Sequence, residues 1–384
     1  MLPALRPAPP RQPVSRPRPP FRSGDPLPDL TDAELAAFAA GRQEFQNRET
    51  PQGGLGPIFN QTSCAVCHFQ GGLGGAGLIT VRHFGRISPE GFDPLTSLGG
   101  SLLQAQAIAP AAREFIPRIA NVVAVRQPTA LFGLGLIEAI PDQTLLALAS
   151  ATKPDGVRGR AHLVIDPVSG AERVGRFGWK AQHATVLAFA ADAYRNEMGV
   201  TNRLFPVENA PNGNATLLAL HDRVADPEDV VDPATGKADV DLSADFMRFL
   251  AAPPALPADS RTESGRALFS SVGCAVCHVP ELLTGATGSA ATSNKPVPLY
   301  SDLLLHDMGR LGDGITQEQA GAREMRTAPL WGVRLSAPYL HDGRSPNIQS
   351  AVTAHDGEGA ASRDRFNKLK PADRALLLQF VQSL

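Results

Sequence analysis

The pentapeptide CAVCH occurs twice in this chain, within SCAVCHFQ at residues 63–70 and within GCAVCHVP at residues 273–280. Together the two copies use all four cysteines of the 384-residue sequence. In Cys-x-x-Cys-His the two thiols are spaced to add to the vinyl groups of one porphyrin, and the adjacent imidazole reaches the iron as proximal ligand. This spelling predicts one covalent haem c on Cys64, Cys67 and His68 and a second on Cys274, Cys277 and His278. Structural zinc is the other reading of paired Cys-x-x-Cys, but zinc ribbons hold their two pairs about 15–20 residues apart. Here roughly two hundred residues intervene, and a redox or disulfide pair has no need of a following His.

The surroundings of the two copies also correspond. GRQEF at 41–45 precedes the first and GRALF at 265–269 the second, each at the end of a helix-like stretch. The first has Thr31 or Asp32 as N-cap with Glu34 in the opening turn, and the second has Ser260 as cap with Glu263 three residues on. Downstream, RQPTALFGLG at 126–135 is answered by MRTAPLWGVR at 325–334. Paired features in the same order, far apart, argue for two related halves rather than a solenoid. The proline-rich AAPPALPADS at 251–260 reads as the linker between them, after a helix expected from about Ser243. Further helices are expected near 141–150, 179–198 and 371–383. In the helix at 179–198, Trp179 and His183 would share a face. Strand-like alternation is scarce. The expected architecture is mainly α, two cytochrome c-like domains with long ordered loops: a Pro/Arg-rich tether over 1–31, an N-terminal domain over 32–252 and a C-terminal domain over 253–384.

Bulk composition narrows the partners. The 36 Lys plus Arg against 38 Asp plus Glu recommend neither nucleic acid nor an anionic membrane as a partner. No apolar run approaches the roughly 20 residues of a spanning helix. Residues 1–31 hold no apolar core of a secretory signal, whereas haem attachment of this type takes place outside the cytoplasm. The expected location is therefore periplasmic or secreted, with the leader missing through a mis-assigned start codon or trimming. Each iron has a sixth position, for which the remaining histidines, the methionines and the three tyrosines are candidates.

The strings GLGPIFNQTSCAVCHFQGGLGG, ALFGLGLIEAIPDQ, GRFGWKAQHAT, YSDLLLHDMG, MRTAPLWGVRLSAPYLHDGR and AVTAHDGEG together resemble the bacterial di-haem oxidoreductases labelled thiol oxidoreductases. These stand beside the di-haem cytochrome c peroxidases, the di-haem enzyme that matures methylamine dehydrogenase and the haem rubber oxygenases. The resemblance covers about residues 30–384. It implies two cytochrome c-like domains facing one another across a cleft, a reactive N-terminal haem and an electron-handling C-terminal haem.

Site residues follow from the resemblance position by position. In the peroxidases a segment of the form APYFHxG is followed, fourteen residues after its His, by the distal ligand of the C-terminal haem, usually Met. Here APYLHDG contains His341 and the matching position is His355, which implies a bis-histidine haem of lower potential than a His/Met pair. His341 resembles a histidine near that haem's edge. Ser336 and Pro338 match positions whose carbonyls help hold an interdomain calcium, although the third ligand, an Asn, has no counterpart. His83, fifteen residues after His68, is either a switchable ligand of the N-terminal haem or a loop histidine. Glu138 is either an acid or base beside that iron or a salt-bridged or capping residue, and Trp179 either an electron relay between haems or a core anchor. Met308, beside His306, lies in a loop near the C-terminal haem and is set aside as a ligand. The implied function is peroxidase-like: peroxide or O₂ is activated at the N-terminal haem, with electrons from a small periplasmic electron-transfer protein. The alternatives are a di-haem electron carrier without substrate and an oxygenase or protein-modifying oxidase.

Overall fold

A computed structural model describes residues 22–384. The helices that build its two cores are α1 (Asp32–Glu44), α2 (Cys64–Cys67), α3 (Val186–Ala193), α4 (Asp239–Phe249), α5 (Ser260–Ser271), α6 (Ile348–Ala354) and α7 (Pro371–Ser383). Thr31 and Glu34 close a capping box on α1 as expected. On α5 the cap is Asp259, one residue before the expected Ser260, because its carboxylate accepts from both Arg261 and Thr262 N–H groups. Helix α4 begins at Asp239, earlier than expected, where Asp229 accepts from the Asp239 and Val240 N–H groups at 2.8 and 3.1 Å.

The sequence echo GRQEF/GRALF is a repeated helix crossing. Helix α1 packs on α4 through Gly41, where an added Cβ would lie 2.1 Å from the Leu242 carbonyl oxygen. Helix α5 packs on α7 through Gly265, where a Cβ would lie 2.2 Å from the Leu376 carbonyl oxygen. One turn later the phenylalanine of each echo covers the histidine of its CAVCH. Phe45 and His68 have ring centroids 6.3 Å apart at 57°, and Phe269 and His278 stand 6.4 Å apart at 56°. Each phenylalanine also meets one from the partner helix, Phe246 at 4.7 Å and Phe380 at 5.4 Å. Both glycines are therefore required by close approach, not by turn geometry. Gly41→Ala and Gly265→Ala are each expected to cost roughly 1–3 kcal/mol through overpacking, read as a lowered unfolding temperature in calorimetry.

The second echo also has a structural counterpart. Gly133 and Gly332 both take left-handed φ, 71° and 64°, and each opens a short helical turn, Leu134–Glu138 and Val333–Leu335. Trp331 of the second echo packs directly on Gly133 of the first. Its indole belongs to the larger core, with Phe45, Phe246 and Leu250, while Phe269, Phe366, Phe380 and Val381 form a smaller C-terminal core. The larger core also takes in Leu282, Leu299, Leu303 and Leu304. Segments beyond residue 253 thus pack with the N-terminal half.

Three differences from the expected elements bear on the site. Strand β1 (Val81–Ser88) pairs antiparallel with β2 (Gly91–Asp93), β3 (Leu102–Leu103) and β4 (Val122–Arg126). Alternation does not announce it, because neighbours His83 and Phe84 are both buried. The helix expected from 179 starts only at Val186, since Gly178 and Ala181 are left-handed at φ 78° and 52°, so Trp179 and His183 share no helix face. Of the tether expected over 1–31, residues 1–21 lie outside the described residues. Beyond them Leu27 is buried, its N–H donating to the Phe249 carbonyl at 2.7 Å. Among the described residues no helix is long and apolar enough to cross a membrane.

Candidate haem sites

Each CAVCH opens onto its own cavity. The first, about 590 Å³, is lined by Cys64, Cys67 and His68 together with His83, Gln104, Trp179, Tyr194 and Glu197. The second, about 300 Å³, is lined by Cys274, Cys277, His278, His341, His355 and Trp179. Gln127, Pro128, Thr129, Gly178 and Trp179 line both, so the two cavities share one wall. Within that wall the Trp179 indole N–H donates to the Gln127 carbonyl at 2.8 Å. Its ring meets His341 edge-on, centroids 6.2 Å apart.

The histidines are oriented by their backbone partners. His68 Nδ1 lies 3.1 Å from the Gly75 carbonyl and His278 Nδ1 2.9 Å from the Tyr300 carbonyl. A carbonyl only accepts, so Nδ1 carries the proton and Nε2 keeps its lone pair for a metal. His355 follows the same rule, with Nδ1 2.8 Å from the Ala351 carbonyl at the end of α6. Burial lowers the pKa of His68 and His278 to about 4, keeping both neutral. His278 is further lowered by the nearby His355, which burial also depresses.

None of the four cysteines is joined in a disulfide. Burial pushes Cys64, Cys67 and Cys274 up to about 12, the opposite of a redox-active Cys-x-x-Cys. His306 lies 3.6 Å from Cys277 Sγ, with both ring nitrogens already engaged. Its Nε2 and Nδ1 are held by Asp302 at 3.0 Å and Glu358 at 2.7 Å. Although burial works against the charge, those partners raise its pKa to about 12.

Unpartnered buried polar groups line the first cavity and a buried guanidinium without a counter-charge lines the second, which is where a bound group would satisfy them. Around the first, His83 Nδ1, Gln104 Oε1, Gln182 Oε1 and Arg195 Nε have no hydrogen-bond partner among the described residues. At the second, Arg326 is buried and has no carboxylate partner among the described residues, donating only to the Gly178 and Thr327 carbonyls. Burial lowers its pKa to about 10. Haem fits this demand, since its propionates bring negative charge to a buried guanidinium. Arg126, the arginine of the first echo, one position out of register with Arg326, is already paired with Asp313 at 2.8 Å.

The remaining expected residues divide by position. His83 is carried into the first cavity by β1, and burial holds it well below its usual range. His341, Ser336, Pro338 and Met308 line the second. Glu138 lines neither: its Oε2 pairs with Arg248 at 2.9 Å and its Oε1 accepts from the Val186 N–H at 2.7 Å. Three carboxylates line the first cavity, Asp192, Glu197 and Glu318. Asp192 is paired with His183 at 3.2 Å and Arg195 at 3.5 Å and Glu318 is exposed, which leaves Glu197, in a π-helical turn over Tyr194–Met198. Such turns are frequent at functional sites. Asn60 Nδ2 donates to Glu197 at 2.8 Å, yet burial, with Asp192 adding repulsion, raises it to about 7. No local pattern marks Glu197 or Gln104. Arg326 was findable, being the arginine of a repeated segment.

Residues 119–384 match the family described as "Di-haem oxidoreductase, putative peroxidase". Among solved structures the chain is similar to hydrazine synthase of Kuenenia stuttgartiensis, with 14% identity over 99% of this chain and 100% of that one at a TM-score of 0.42. It is similar also to a MauG-like protein associated with microbial copper homeostasis, 15% identical over 97% and 95% of the two chains at 0.39. The diheme peroxidase BthA from Burkholderia thailandensis is 14% identical over 74% and 91% at 0.32. Among curated proteins none matches.

Proposed function

The chain belongs to the di-haem oxidoreductase family, and on that premise we propose that it is a peroxidase-like enzyme with two unequal haem c sites. The observation that carries the reading is the shared wall: two cavities, each with a CAVCH histidine presenting Nε2, meet at Trp179. Cys64, Cys67 and His68 would hold the reactive haem. Cys274, Cys277, His278 and His355 would hold the other, and bis-histidine ligation suits it to electron transfer. When bound, haem supplies an iron that changes oxidation state one electron at a time and, where a coordination position is open, takes peroxide.

The protein's part is proton handling, orientation and electron passage. Glu197, poised near neutrality, accepts the proton of a bound peroxide on its carboxylate and returns it to the departing oxygen. Gln104, with its free Oε1, orients that peroxide. Two electrons and two protons then complete conversion of one peroxide to two waters. The electrons come from a small electron-transfer protein outside the cytoplasm, through the C-terminal site and the Trp179 indole, which its Gln127 bond holds in place. Glu138 is assigned a structural role, joining α3 to α4 through Val186 and Arg248.

A second reading, a pure electron carrier, is favoured by one observation: His83 Nδ1 is buried, unpartnered and in the first cavity. The resting absorption and paramagnetic resonance spectra separate the two. Under the proposed function the holoprotein shows one high-spin and one low-spin haem, and His355→Ala turns the low-spin signal high-spin. Two low-spin haems both at rest and after one-electron reduction would establish the carrier instead, and an unchanged spectrum in His355→Ala would remove that residue from the iron.

A further inference from the structure

A cluster of carboxylates lies away from both haem sites. Glu208, Asp226 and Glu228 each place an oxygen within 4.8 Å of the others. The buried Thr201 hydroxyl adds a fourth, donating to Asp226 at 3.0 Å and touching Glu228. Acidic clusters are common on surfaces, but here Glu208 is only 8% exposed. Its Oε1 accepts from the Asn209 N–H at 2.9 Å, while its Oε2 is buried without any partner. Among the described residues no Lys, Arg or His is ion-paired to any of the three. Burial, reinforced by the charges of Glu228, Asp226 and Asp222, raises the Glu208 carboxyl to about 8. A buried carboxylate oxygen without a donor is costly unless a cation meets it.

We propose that Glu208, Asp226, Glu228 and Thr201 form a calcium site that ties the segment before Asn209 to the loop before α4. The donor set is all oxygen, which selects a hard cation over zinc or copper. Calcium accepts irregular sets of mono- and bidentate carboxylates, whereas magnesium demands near-ideal octahedral geometry and keeps several waters, so a set crowded with carboxylates suits calcium. The site would brace the larger cavity: Asn209, next to Glu208, donates to the Arg195 carbonyl at 3.2 Å and to Asn196 at 3.1 Å, and all three line that cavity. On the other side, Asp229, next to Glu228, caps α4. It shares no residue with Ser336 and Pro338, and it rests on no property of the haems.

The test is calorimetric unfolding of the full holoprotein in EDTA and in calcium chloride, with binding of calcium alone followed by titration calorimetry. Calcium at a hundredfold excess over its dissociation constant should raise the unfolding temperature by roughly 3 °C, and magnesium by much less. The double variant Glu208→Gln, Asp226→Asn should lose calcium binding and its temperature shift. In EDTA that variant should be at least as stable as the parent, because it removes repulsion between carboxylates. No calcium shift in the parent overturns the proposal. A shift that survives in the variant places the ion elsewhere, and equal destabilisation of the variant in EDTA and calcium reduces the cluster to a structural role.

Discussion

Glu197→Gln is expected to lower peroxide turnover by roughly 10²–10⁴-fold, the usual contribution of a positioned proton-transfer group. Glutamine keeps the shape and the oxygen that accepts from Asn60 but has no carboxylate to take a proton. The pH profile gives a second readout. Desolvation raises Glu197 to about 7, so the carboxylate form, which accepts the proton, grows as pH rises through that value. Turnover of the parent should increase through about pH 7 and then level, and the variant should lose that inflection. Because Glu197 is half-buried and its charge is felt at Cys67, the visible spectrum of the variant must be compared first. A variant with the parent's spectrum and an unaltered inflection would sink the assignment. Glu138→Gln, by contrast, should loosen the Arg248 contact and lower stability without moving the inflection.

Removing one cysteine pair at a time should have the other large effect, and an unequal one. Cys64→Ala with Cys67→Ala, or Cys274→Ala with Cys277→Ala, should each halve covalent haem from two per chain to one, as read by pyridine haemochrome and intact mass. The first variant should retain the low-spin signal and lose peroxide reactivity altogether. The second should still react once with peroxide but fail to turn over, because electrons no longer enter through the C-terminal site. A haem count of one in the parent would defeat the reading of both motifs. Equal loss of every activity in both variants would defeat the division of labour between them.

Much of the architecture was readable because its signals are contiguous. Cys-x-x-Cys-His is a five-residue unit whose spacing alone carries its chemistry, and G-x-x-x-F sets a glycine and a phenylalanine one helical turn apart. Gly41 and Phe45, like Gly265 and Phe269, accordingly perform the same packing task in both halves. The sheet around His83 was not readable, since neighbouring buried residues disguise its period. Nor was the break before α3, where Ala181 takes a left-handed φ that its residue type disfavours.

The choice between carboxylates shows the boundary most clearly. Glu138 and Glu197 are equivalent as letters, and the sequence offered Glu138, in GLIEAIP, as either an acid or base or a salt-bridged or capping residue. Folding brings Arg248 and the Val186 N–H onto Glu138, neutralising its charge and turning it from the cavities. Folding also brings Asn60, 137 residues away in the chain, onto Glu197 and buries it at a cavity wall. The sequence by itself therefore determined the two proposed haem-attachment motifs and their duplication, because a Cys-x-x-Cys-His pattern is contiguous and local. Only the tertiary structure decided that Glu197 and not Glu138 faces the first cavity and that Trp179 stands in the wall between the two. Desolvation and charge at a site are set by residues distant in the chain, and no short pattern records them.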